Sequence, residues 1–161
     1  MSDEKVFEDL ESFYKGHACL ENGNPKEAAH WFQASLRLDP ESEPTQTWLL
    51  VAERRAAFDA EHWDTYLQKS KALLELKGKS AQTLLALAPA WACKFVTTGN
   101  GEYRRQALAC LQEARTAPGV DPDDWIIEAW VNQMLEKHTI ISLIQFRFSV
   151  GRVDDEHGDF G

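Results

Sequence analysis

Five histidines, three cysteines and a carboxylate-rich C-terminal run are the residues of this 161-residue chain that could support reaction chemistry. Metal ligation from a helix needs a second histidine or carboxylate one turn away, aimed at the same point. His17 and Glu21 share a face at i and i+4, but His30 is followed at that offset by Ala34, and no HExxH occurs. His62 falls in a loop, His138 near a helix end and His157 in the last residues, so surface or capping roles suit all five. Cys19, Cys93 and Cys110 are odd in number and share no CxxC spacing, which speaks against a complete disulfide framework or a zinc knuckle. Their apolar helical surroundings predict buried thiols. Asp154-Asp155-Glu156-His157 lacks the spaced ligands and central glycine of a calcium loop. Asp159-Phe160-Gly161 spells a kinase triplet without the other kinase elements, and Gly99-Asn100-Gly101 is too short to cradle a phosphate. No catalytic residue, cofactor or metal is expected, and the chain reads as a non-enzyme.

Composition narrows the partners. With 26 acidic and 17 basic side chains the formal net charge is −9, and the paired arginines Arg54-Arg55 and Arg104-Arg105 read as solvated surface. Neutralising phosphates takes clustered cations, so neither nucleic acid nor an anionic membrane is expected as a partner. The acidic start MSDEKVFEDLESF is unlike a secretory signal, and no run approaches the ~20 apolar residues of a membrane span. A cytoplasmic protein is expected. At 43% hydrophobic and 11% aromatic residues the chain can bury a sizeable core.

The elements that position these side chains are helical. Gly16, Ala28, Phe32, Ser35 and Pro40 fall in the order small, small, aromatic, small, proline, with Ala28, Phe32 and Ser35 at helical offsets of four and three. Facing helices need small residues where their backbones approach and bulky ones where they diverge. Glu21-Asn22-Gly23 offers a left-handed glycine to end one helix, and Asn24-Pro25 with Glu27 offers an N-cap, a first-turn proline and a capping-box partner to start the next. This pattern resembles the tetratricopeptide repeat.

Two further hairpins follow it. The second, 43–77, opens on Glu43-Pro44 with Trp48, Val51 and Ala52, and returns with Trp63, Tyr66, Leu67, Ser70, Leu73 and Leu74. Tyr66 stands where the first hairpin has Ala28, so these two helices cannot approach as closely unless the loop at Ala60-Glu61-His62 adjusts. The third, 80–118, opens with Ala88, Trp91, Ala92, Phe95 and Gly99 and closes with Ala107, Leu111 and Ala114. Pro89 must kink or divide its first helix. Ala28, Tyr66 and Ala107 stand 38 and 41 residues apart, above the spacing of about 34 usual for the repeat.

A capping helix is expected over about 122–138, started by Asp121-Pro122-Asp123-Asp124, and residues 139–150 form either a further helix or an extended arm. The expected organisation is one domain over 1–150, with repeats at about 7–40, 43–77 and 80–118, and a flexible acidic tail over 151–161.

The resemblance implies an all-α fold of antiparallel helix pairs stacked as a short right-handed superhelix, with first helices lining a concave groove that takes a protein segment. Matching along those helices places Leu10, Phe13, His17 and Leu20, then Gln46, Leu49, Leu50 and Glu53, then Ala90, Cys93 and Val96, on the groove. Some members clamp a terminal carboxylate with lysine and asparagine, which Phe13 and His17 replace here. The implied function is a protein–protein interaction adaptor or scaffold, with Phe13 and Trp48 as aromatic anchors. Two alternatives stay open: a small acidic chaperone for a secreted protein, similar to those of type III secretion, and a subunit joining two copies through the Trp125–Trp130 face or the 140–150 arm.

Overall fold

The computed structural model of the chain describes residues 2–119 and 124–156, with eight helices among them. The first four form one compact unit over residues 1–78: α1 (Asp3–Glu21), α2 (Pro25–Leu38), α3 (Glu43–Asp59) and α4 (Trp63–Lys77). Each packs against the next in chain order. The second unit begins at residue 79 and contains α5 (Ala81–Thr98), α6 (Gly101–Thr116), α7 (Asp124–Lys137) and α8 (Leu143–Glu156). The boundary between the two units falls after Gly78.

Local chemistry sets each boundary in the first unit. The Ser2 hydroxyl accepts from the Lys5 N–H at 3.3 Å, and Asp3 and Glu4 face the positive end of the α1 dipole. At the other end Gly23 takes φ +78°, which lets its N–H reach the Leu20 carbonyl at 3.1 Å and the Asn24 N–H reach Cys19 at 2.8 Å. These two bonds make a Schellman close. Asn24 thus finishes α1 through its backbone, and its side chain makes no cap bond to α2, so the capping box expected there does not form. Pro25 still opens α2, because its missing N–H costs nothing in a first turn.

The same close ends α3 with a less suited residue. Glu61 takes φ +59°, its N–H reaching Phe58 at 3.0 Å and the His62 N–H reaching Ala57 at 2.8 Å. The turn before Tyr66 thus has the same hydrogen-bond pattern as the one before Ala28, and the bulkier ring is accommodated without a different loop. Tyr66 is then buried, edge-on to Phe58 with centroids 5.3 Å apart, and Leu67, Ser70 and Leu73 are buried beside it along α4.

In the second unit Ser80 and Thr83 form a reciprocal capping box at the start of α5. Pro89 does not divide that helix, which runs unbroken to Thr98. Ala81, Ala88, Ala90 and Ala92 are wholly buried along it, and Ala107, Leu111 and Ala114 of α6 are buried too. α7 packs on both α5 and α6, placing Trp130, Val131, Met134 and Leu135 inside, as a capping helix should. Its expected N-cap run, Asp121-Pro122-Asp123, lies outside the described residues. Arg115 of α6 forms a two-pronged pair with Glu128 of α7, with Nε donating at 3.1 Å.

Residues 143–156 resolve the open question at the C-terminal end. They form α8, which packs on α7 with Phe146 buried, so the extended-arm alternative is set aside. The helix also continues to Glu156, beyond position 150, where a flexible tail was expected to start.

Candidate docking site

The candidate site is the first-unit face where α1 meets α3. At its centre His17 lies edge-on to three rings, 4.6 Å from Phe13, 5.3 Å from Phe32 and 4.5 Å from Trp48 between centroids. Phe13 in turn meets Phe32 at 5.8 Å. Such edge contacts set the electropositive rim of one ring against the negative face of another and contribute ~0.5–1.5 kcal/mol each beyond burial. The His17–Trp48 contact therefore joins the two first helices through side chains.

Beneath this cluster lies the hairpin core of Leu20, Ala28, Phe32 and Ala52, with Phe13, Cys19, Ala29 and Leu49 packed against it. Gly16 is a steric necessity there, since a Cβ at that position would come within 2.6 Å of the Phe32 ring. The sequence pattern of small residue against aromatic is thus seen as direct packing. Above the core, Leu10 is 48% exposed and Trp48 37% exposed, while His17 and Leu50 are half-buried.

Not every residue assigned to the groove has a free surface. Leu20 is buried as part of the hairpin core. Gln46 is half-buried and its amide donates to the Pro40 carbonyl at 2.9 Å, which ties it to the α2–α3 turn. Glu53 pairs with Lys69 of α4 at 3.4 Å, both being about a quarter exposed. Cys93 and Val96 belong to the second unit. Cys93 is fully enclosed, so its assignment to a contact surface is corrected: Ala90, Ala92 and Cys93 fill the α5 core because that helix is covered by both α6 and α7. Leu10, Phe13, His17, Leu49 and Leu50 remain on the first-unit face, with Trp48 beside them.

The thiols follow the expected burial at two positions. Burial pushes the Cys93 thiol up to about 12 and the Cys110 thiol up to about 11, the latter also through the nearby Glu113 carboxylate. Cys19 is raised in the same direction, by burial and then by Glu27. None of the three favours the thiolate a nucleophile needs. Among the described residues no group of three or more His, Cys, Asp or Glu is placed to hold a metal ion, and no helix is long and apolar enough to cross a membrane.

Sequence reasoning missed one apolar surface and misplaced another. Val6, Phe7 and Tyr14 of α1 are exposed, a stripe visible in the helical spacing of the first fifteen residues. Of the Trp125–Trp130 face considered for joining copies, Trp125 is exposed but Trp130 is buried, its indole N–H donating to the Ile141 carbonyl at 2.7 Å. That bond holds the α7–α8 connection instead.

Residues 11–42 match the family model for the tetratricopeptide repeat. The match spans most of α1, the Schellman turn and all of α2, so this hairpin is a tetratricopeptide repeat, a motif whose general role is protein–protein interaction rather than catalysis. No curated protein and no solved structure matches the chain.

Proposed function

We propose that this protein is an adaptor that holds a segment of another protein against the α1–α3 face of its first unit. The observation that carries the reading is the ring cluster of Phe13, His17 and Trp48, which gives two first helices one continuous surface and leaves Trp48 and Leu10 partly exposed on it. A rigid aromatic surface loses little conformational entropy on binding, and tryptophan is the commonest dominant anchor in protein interfaces. Leu49 and Leu50 extend the apolar area along α3. Polar groups that could clamp a charged terminus are instead committed internally, Gln46 to the backbone and Glu53 to Lys69. The favoured occupant is therefore a segment recognised by apolar side chains.

Affinity capture from the native cell extract, followed by mass spectrometry, tests this with wild type and a Trp48→Ala, Leu49→Ala variant of unchanged helicity. Loss of an anchor pair worth ~2 kcal/mol or more should weaken binding about thirtyfold and empty the captured set. Undiminished capture would refute the surface. Sedimentation over a range of concentrations addresses self-association, because a dimer that the double variant dissolves would assign this face to a second copy.

A further inference from the structure

The remaining exposed apolar side chains of α1 form a stripe of their own. Val6 is 43% exposed, Phe7 70%, Leu10 48% and Tyr14 66%. Their offsets of three, four and seven put them on one side of the helix, with Leu10 at the seam where the stripe adjoins the Phe13–His17 row. Side chains of this size so exposed together are uncommon on a surface that nothing contacts.

Charge tells what would cover them. Asp3 lies seven residues before Leu10 and Glu21 seven after Tyr14, so a carboxylate closes each end of the stripe. Glu4 and Glu11, themselves seven apart, run along the side next to Phe7. In all, α1 carries Asp3, Glu4, Glu8, Asp9, Glu11 and Glu21 against Lys5 and Lys15, and Lys15 is already paired with Glu11 at 3.1 Å. A second copy would bring the same acidic border and another net charge of −9 against this one. An anionic membrane or a nucleic acid would be repelled likewise.

We propose that Val6, Phe7, Leu10 and Tyr14 form a second docking surface, whose occupant is an amphipathic helix of another protein with basic residues bordering its apolar face. Nonpolar contact along the stripe supplies affinity, and the carboxylate border selects the charge and speeds encounter. Glu4 and the carboxylates at the two ends of the stripe, Asp3 and Glu21, would face lysine or arginine of the partner across water, which makes the interaction salt-sensitive. Tyr14 adjoins the α1–α3 cluster through Phe13, their ring centroids 6.0 Å apart, and the two surfaces are told apart by different residues, Phe7 and Tyr14 here and Trp48 and Leu49 there.

The test is fluorescence anisotropy on the full chain with a labelled synthetic helix of about 18 residues, leucine on one face and lysine along both borders. A control peptide carries glutamate in place of each lysine. The lysine peptide is expected to bind at least about tenfold more tightly than the control, and more weakly as salt rises. Phe7→Ser with Tyr14→Ser should weaken it by at least about tenfold with helicity unchanged, while Trp48→Ala with Leu49→Ala changes it less than about twofold. Equal binding of the two peptides would overturn the charge assignment. Indifference to the Phe7 and Tyr14 changes, or a concentration-dependent dimer that those changes abolish, would overturn the surface. Failure of the α1–α3 reading leaves these outcomes untouched, since it is read from different variants.

Discussion

Gly16 and Phe32 show how one contact fixes a hairpin. Replacing Gly16 with alanine should gain about 1 kcal/mol of helix propensity, yet the new Cβ would stand 2.6 Å from the ring of a fully buried Phe32. Overpacking an enclosed site costs ~1–3 kcal/mol, so the clash wins and Gly16→Ala should lower stability in chemical denaturation. In a Phe32→Ala background the obstacle is gone and the same change should stabilise instead. Phe32→Ala alone should cost ~3–5 kcal/mol. Equal effects of Gly16→Ala in both backgrounds would deny that the pair touches. Leu20 shows the limit of such reasoning for the site, because its helical register fits the groove while its surroundings put it in the core.

Between elements, the turns carry testable stress. Glu61 holds a left-handed conformation that glycine takes without penalty, and its side chain is exposed. Glu61→Gly should therefore raise stability by ~0.5–1 kcal/mol, seen as a higher thermal midpoint, even though glycine is the more flexible residue when unfolded. Gly23→Ala, with φ +78° and open space around it, should do the reverse through backbone strain alone. In the second unit the Trp130 indole bond to Ile141 ties the α7–α8 connection. Trp130→Phe leaves that carbonyl without its donor, so a loss of ~1–3 kcal/mol and faster hydrogen exchange near Ser142 and Leu143 are expected. Unchanged exchange there would show that the indole bond does not hold the start of α8 in place.

For the whole molecule, burial of two thiols predicts an alkaline limit. Cys93 and Cys110 ionise near 9 when unfolded but only near 12 and 11 when folded. Below pH 9 both states keep the protons and this contribution is fully present. As pH rises above 9 the unfolded chain loses its protons first, so stability should fall until the folded thiols ionise as well. The slope is at most about 1.4 kcal/mol per pH unit for each thiol. Denaturation midpoints of wild type and a Cys93→Ala variant across that window would measure it, and an equal slope in both would deny the role of Cys93. Thiol reagents at neutral pH should likewise reach Cys93 and Cys110 only on unfolding.

The amino-acid sequence by itself determined the first hairpin, because everything that defines it lies within some 25 residues: Gly16 against Phe32, Ala28 on the same face, Gly23 in the turn and Pro25 after it. Short-range sterics and hydrogen bonding decide such a unit locally. The starts of α3 at Glu43 and of α5 after Ser80 were legible for the same reason. Helical period, however, states which side chains share a face and not whether another element covers that face. Only tertiary packing enclosed Cys93 and Leu20, committed Gln46 and Glu53 to internal partners, made residues 143–156 a helix against α7, and left Phe7 and Tyr14 uncovered. Those outcomes depend on which distant segments meet, and the apolar area buried by that meeting outweighs local pattern.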